Sequence, residues 1–305
     1  NVEYNFNTPV TSDITLYANW SPVPFKLVAQ EDNVTVRLNK TSPTDAPVIS
    51  LVYRQSNGTG WTEWTDYTWD STTGEGTEIL LTNNGDEVEI KAPDGHQNGA
   101  FGSSGFNYNF FQFSGKVAAR GNIMFLLDPT GKSTEVPEAA FFGLFMDPPC
   151  SKLTGAPALP ATTLNKMCYC YMFGMCGLLE AAPELPAITL AESCYEYMFQ
   201  YTPITNVVQL PSMSLAERCY AHMFAHCTSL QYAQTELPAT LLYKECYDCM
   251  FDECTNLYDN AHIKHITITA HILPIFSLSK IEIKLIPNSI NNICTKLIRY
   301  LSLLS

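Results

Sequence analysis

The sequence predicts a multidomain chain: an all-β, sandwich-like N-terminal part followed by an α/β solenoid. Three observations carry that prediction. Leu-Pro recurs at 159, 185, 210 and 237, and a block Cys-Tyr-x-x-Met-Phe begins at Cys168, Cys194, Cys219 and Cys246, in steps of 26, 25 and 27 residues. A period in this range marks repeats that bury their apolar faces against their neighbours. Within each copy apolar residues return every four positions, which reads as one stripe of a short helix. Ahead of the repeats, residues 25–127 break into short period-two runs divided by Asn, Asp and Gly turn formers, the pattern of an all-β domain.

Asp13 to Trp20 alternates polar and apolar strand formers, so residues 1–20 are expected to be the end of a β-domain. Ser21-Pro22-Val23-Pro24 breaks that run as a short stiff linker. Over 21–135 strands are expected at Phe25 to Ala29, Val34 to Leu38, Ile49 to Tyr53, Glu78 to Leu81 and Glu87 to Lys91. Asn57-Gly58, Asn83-Asn84-Gly85-Asp86 and Asp94-Gly95 supply turns that tolerate positive φ. Phe106 to Phe113 adds an aromatic-rich run. Strands at this spacing suggest a small sandwich or open barrel.

The repeats occupy 136–258, about five coils counting a degenerate copy in front. In the first full copy Leu164, Cys168, Met172 and Cys176 stand four apart, with Tyr169 and Phe173 beside them. Their counterparts are Leu190, Cys194, Tyr195, Met198 and Phe199; then Leu215, Cys219, Tyr220, Met223, Phe224 and Cys227; then Leu242, Cys246, Tyr247, Met250, Phe251 and Cys254. These residues are expected to form the repeat core. A Leu-x-x-Ala step at Leu153/Ala156, Leu179/Ala182 and Leu230/Ala233 predicts a short extended segment stacking in parallel, about 4.8 Å per coil. The Pro of Leu-Pro belongs at its exit, having no N–H for a ladder. The copy of Cys194, third when the degenerate front copy is counted and second of the full copies, carries Thr202 in place of the second cysteine, followed by Pro203, which predicts a distorted helix end there.

Residues 259–305 abandon the repeat. Strands are expected at 263–272 and 280–286. Charge inverts as well: 2 acids and 5 bases, against 10 and 4 over 151–258. The tail reads either as a divergent capping element or as an out-of-frame readthrough.

The 305 residues carry a net charge of −13, which argues against a nucleic-acid partner, whose phosphates require basic neutralisation. No run of 18 apolar residues predicts a membrane span. The chain starts at Asn1, so it is expected to be a piece of something longer. All eleven cysteines lie at or after Cys150 and follow the repeat, unlike a small disulfide-stapled domain.

The repeat Leu159-Pro-Ala-Thr-Thr-Leu, then Cys168-Tyr-Cys-Tyr-Met-Phe, with Cys227-Thr-Ser-Leu in the later copy, closely resembles the BspA-type leucine-rich repeats of Bacteroidetes surface proteins. Gly121-Asn-Ile-Met-Phe-Leu-Leu-Asp-Pro-Thr-Gly131 resembles the segment introducing those repeats, and residues 1–20 are similar to the end of a Listeria–Bacteroides (InlB B-type) repeat. The resemblance implies an α/β leucine-rich-repeat solenoid in a secreted, cell-surface protein. It implies non-catalytic, adhesin-like binding to a protein or glycan on a host or neighbouring cell. It brings no catalytic residue and no cofactor. A structural spacer or display module, a phage tail or fibre protein carrying the same repeats, and a glycan-active enzyme are the rival readings.

Candidate sites each have a plainer reading. The two cysteine columns read as small apolar core residues before they read as disulfide or metal sites. Cys246-x-x-Cys249 has a zinc-like spacing, but Cys249 falls in the column of Tyr171, Tyr197 and His222. His222 and His226 stand i, i+4 without a His-Glu-x-x-His frame. Trp61, Trp64 and Trp69, beside Gly58 and Gly60, suit a sugar-stacking loop or equally buried strand aromatics. Asp66, Asp70, Glu75, Glu78 and Asp86 to Glu89 raise calcium or glycosidase chemistry, though solvated turns account for them. The variable repeat positions Cys170, Glu196, Ala221 and Asp248 are the expected recognition positions, with Gln209 and Gln234. Glu196 and Asp248 are therefore the candidate contacts on the repeats.

Overall fold

Polar–apolar alternation builds the N-terminal strands. The computed structural model describes residues 22–56, 58–103, 106–146, 151–232, 236–239, 241–257, 266–270 and 281–285. The expectation for residues 1–20, and the positions of Cys150, Ala233 and Gln234, lie outside these residues. Strands run in order as β1 (Lys26–Ala29), β2 (Val34–Lys40), β3 (Val52–Ser56), β4 (Thr65–Asp66), β5 (Ile79–Leu81), β6 (Glu87–Lys91), β7 (Asn109–Phe113) and β8 (Val117–Arg120). In β2, Val34, Val36 and Leu38 turn inward and are buried while Thr35 and Arg37 turn out, as a period of two dictates.

Two open sheets result. One has the order β10-β8-β1-β6-β3-β4, where β10 (Leu153–Gly155) comes from the repeats, and the other is β5-β2-β7. Leu27, Val88 and Ile90 of the first share a core with Val36, Leu38, Phe111 and Phe113 of the second. Tyr67 ties this core together. Its hydroxyl accepts from the Leu38 N–H at 2.6 Å and donates to the Thr77 carbonyl at 2.9 Å.

The junction to the repeats is built by Gly121 to Gly131. Gly121 has φ +74, and a Cβ there would lie 2.0 Å from the Pro24 carbonyl oxygen, so no side chain fits. Asn122 caps a 3-10 turn at Ile123–Leu126, accepting from the Met124 N–H at 2.9 Å, while its amide donates to the Gly131 carbonyl at 2.7 Å. Asn122 bridges Pro24 on one side and Ala158 on the other, so the sandwich edge continues into the first coil.

The α/β leucine-rich-repeat solenoid is not what forms. The described residues form strands, isolated bridges, turns and irregular connections, and the 3-10 turn at Ile123–Leu126 is the one helical element among them. The expected helical stripe is a run of overlapping turns. In the first full copy the N–H groups of Cys168, Cys170, Met172, Gly174 and Cys176 each return to the carbonyl three residues earlier. The residues between them, Met167, Tyr169, Tyr171, Phe173 and Met175, donate instead to Glu192, Cys194, Glu196, Met198 and Gln200 of the next coil. The same alternation holds from Ser193 to Tyr201 toward the third copy and from Arg218 to His226 toward the fourth. It also holds in the front copy, where Ala139, Phe141, Gly143 and Phe145 donate to Lys166, Cys168, Cys170 and Met172.

The physical reason lies in the spacing. An α-helix turns every 3.6 residues, so a strict step of four would rotate away from its own core. Here every fourth residue is left-handed: Met167, Tyr171 and Met175, then Ser193, Tyr197 and Tyr201, and so on, with φ of 54, 56, 62, 55, 57 and 59°. A left-handed residue at the third place of a four-residue turn closes a type II turn, and the repeat becomes four residues long. Each of those six N–H groups is held by the following coil, which sustains a conformation that L-residues seldom adopt.

The coils join edge to edge through short parallel contacts. β9 (Glu135–Val136) pairs with β11 (Thr163–Leu164), Thr163 bridges Thr189, and Ser214 bridges Leu241. The Leu-Pro step places Leu159, Leu185 and Leu210 in the core, with buried Ala161, Ala187, Ser212 and Ala239 two residues after the leucine of their copies. Thr202 causes no distortion. Its hydroxyl donates to the Phe199 carbonyl at 2.7 Å, and the Tyr201 N–H reaches Ala225 as its counterparts do. β12 (Glu236–Leu237), at the Leu-Pro step of the last copy, pairs in parallel with β13 (Ile266–Ala270) of the tail, which pairs antiparallel with β14 (Ile281–Leu285); β13 and β14 fall inside the stretches expected to be strands.

Candidate functional site

Each four-residue turn points two neighbouring side chains in and two out. The inward pairs are Cys168-Tyr169 and Met172-Phe173 and their counterparts, all buried. They stack into two aromatic columns. Phe145, Phe173, Phe199, Phe224 and Phe251 lie 5.4–5.6 Å apart with planes within 7° of parallel. Phe141, Tyr169, Tyr195, Tyr220 and Tyr247 form the second, 5.7–5.8 Å apart. Separations beyond one strand spacing with parallel planes are offset stacks, the favoured aromatic geometry. Leu164 and Leu215 are buried; Leu190, Leu242 and Cys254 are partly so.

The nine cysteines of the described residues are thiols rather than disulfides. Burial pushes Cys168, Cys194 and Cys219 far above the ordinary thiol range, and Cys227 and Cys246 up to about 11. The second column does more than fill space. Cys176, Cys227 and Cys254 donate to the carbonyls of Phe145, Phe199 and Phe224 in the preceding coils.

The outward pairs form one face. Cys170 and Ala221 are buried there, and Glu196 is only 8% exposed, so the variable column expected to make contacts is largely occluded. Arg218 explains the buried carboxylate. It donates to Glu196 of the preceding coil and to Glu245 of the following one, and both bonds hold its guanidinium firmly protonated. Beside this clamp Lys166 meets Glu192, and Lys244 meets Glu217, each at 2.9 Å.

The next column is aromatic. Tyr171 stacks on Tyr197 at 4.5 Å and Tyr197 on His222 at 4.6 Å, both 8° from parallel. Tyr201 stacks on His226 at 4.4 Å. Tyr201 is 48% exposed. Ring faces that cover one another leave edges and hydroxyls for a partner, so this column offers hydrogen bonds rather than a platform for a sugar ring. The column ends at Cys249. Among the described residues a single group of three metal-ligating side chains converges, and it stands here: His222, Asp248 and Cys249, with ligand atoms within 4.8 Å of one another. Desolvation lowers the His222 pKa against the pull of Asp248. Along the chain Cys249 stands three residues from Cys246 and His222 four from His226, and neither spacing points to this group. The signal lies across coils: Ala221-His222 and Asp248-Cys249 occupy the same two columns one coil apart.

The tryptophans sit on the sandwich, away from the repeats. Trp61 and Trp64 each lie 4.7 Å from the Arg54 guanidinium, and Lys91 stands 4.8 Å from Trp64. Trp61, 39% exposed, walls a shallow groove of about 420 Å³ with Gln55, Thr59, Thr62 and Asp86. Trp69 is a packing residue. Its indole N–H donates to the Leu38 carbonyl at 2.7 Å, and its ring meets Tyr67 edge-on.

The acids of this region serve turns and ion pairs. Asp70 accepts from the Thr72 and Thr73 N–H groups at 2.8 Å, and those backbone bonds lower its pKa. Glu75 and Glu78 hold Arg37, and Asp86 accepts from Asn83. Among the described residues no helix is long and apolar enough to cross a membrane. The chain matches no family model, no curated protein and no solved structure.

Proposed function

We propose that this chain is a non-catalytic, secreted or cell-surface binding protein that presents the outward face of its stacked coils to a protein or glycan on a host or neighbouring cell. One observation carries the reading: the inward columns repeat Tyr, Met and Phe, while the outward ones change from coil to coil. Tyr201 and His226 and the Tyr171–Tyr197–His222 row present different hydrogen-bonding edges on one constant backbone frame. Varied side chains on a repeated frame are how repeat proteins select partners. The resemblance of the repeats to BspA-type surface proteins supports the cell-surface setting.

The internally satisfied coil backbone favours a second reading, a spacer or display module, as in a phage tail or fibre protein, with no ligand of its own. The test is binding of the whole immobilised chain to extracellular-matrix glycoproteins and a glycan array. A saturable signal weakened at least about tenfold by Tyr201→Ala with His226→Ala, and untouched by Trp61→Ala, supports the coil face. A signal that follows Trp61 moves the site to the sandwich groove. No binding on either panel leaves the spacer.

A further inference from the structure

We propose that His222, Asp248 and Cys249 bind one divalent cation of the zinc class, bridging the third and fourth full copies of the repeat. The site shares His222 with the outward row above but does not rest on the binding reading. His222 Nε2 lies 3.9 Å from one Asp248 carboxylate oxygen, and Cys249 Sγ lies 3.7 Å from the other. A tetrahedral zinc with bonds of about 2.0–2.3 Å sets its ligand atoms roughly 3.4–3.6 Å apart. The group therefore closes on the ion by small side-chain rotations.

The backbone around it is held in place. The His222 N–H donates to the Asp248 carbonyl at 2.8 Å, which locks the two coils in register, and Tyr197 stacks on the imidazole at 4.6 Å. The three side chains are part-exposed, so a fourth position faces solvent, as in open zinc sites.

The donor set selects the ion. Imidazole nitrogen, thiolate sulfur and carboxylate oxygen suit borderline-soft zinc, whereas calcium and magnesium take oxygen ligands. Asp248 and Asp252 make the surroundings of His222 negative, and Arg218 is already engaged by Glu196 and Glu245. On binding, the Cys249 thiol releases its proton to bulk water and the sulfur donates an electron pair to the cation, with no redox step. Cys249 is the cysteine suited to this. Cys246 points into the core, is buried, and holds its proton.

Cobalt(II) titrated into the whole reduced chain reports the site. The expected result is one equivalent bound, with a thiolate-to-cobalt charge-transfer band and visible bands of tetrahedral intensity. Zinc should displace both. Cys249→Ser should abolish the charge-transfer band, and His222→Gln and Asp248→Asn should each weaken binding at least about tenfold. Circular dichroism should match the parent, and His96→Ala, on the exposed edge of the sandwich, should change nothing. Absence of a stoichiometric band overturns the proposal. So does a band that survives Cys249→Ser, or one indifferent to His222→Gln.

Discussion

The ring of Phe199 lies over that of Phe173 with centroids 5.5 Å apart and planes 5° from parallel. Both are fully buried and belong to a column that runs through five coils. Phe199→Ala opens the middle of that column. It should cost about 3–5 kcal/mol, the range for truncating a buried aromatic. Urea unfolding followed by circular dichroism measures this, and a loss under about 1 kcal/mol would show the column to be slack.

Arg218→Ala strands the Glu196 carboxylate inside the outward face. Full burial would make that loss several kcal/mol, and the partial exposure of Arg218 reduces it to about 1–3 kcal/mol. The pH dependence has a definite sign. Arg218 holds the Glu245 pKa below the ordinary glutamate value, so this stabilisation is present above about pH 4.3 and is lost as pH falls through the lowered folded value. The difference between parent and variant in urea should shrink in acid. A gap unchanged at pH 3 would refute the pairing.

The buried thiols make stability fall in alkali. Cys227 and Cys246 titrate near 9 when unfolded and near 11 when folded, so the unfolded chain loses protons first. Melting temperature under reducing conditions should therefore drop as pH rises from about 9 to 11. With iodoacetamide at neutral pH, peptide mapping should find Cys249 modified ahead of Cys168, Cys194 and Cys219, because access and thiolate character govern the reaction. Labelling of the core thiols first would contradict their burial.

Gly121→Ala should destabilise the junction by about 1–3 kcal/mol. Both walls against the added methyl are backbone, the Pro24 and Val23 carbonyls, and φ is already positive. Thermal unfolding should show the loss, while Gly85→Ala, with open space around its Cβ position, should lose less.

Much of this molecule is legible in its sequence. The inward residues Leu164, Cys168, Tyr169, Met172 and Phe173 and most of the early strands follow from period and polarity. These depend only on which residues avoid water, and burial is written in composition at fixed spacing. Helix against turn was not legible, since an apolar residue every fourth position suits both to first sight. What decided it was coil-to-coil hydrogen bonding, in which Tyr169 donates to Cys194 rather than along its own strand of chain. The occlusion of Glu196 and the convergence of His222 with Asp248 and Cys249 likewise arise between coils, 22 to 27 residues apart. Sequence by itself determined what is buried and how often. Only the tertiary stack decided the backbone conformation and the company of the outward side chains, because both are set by the neighbouring coil.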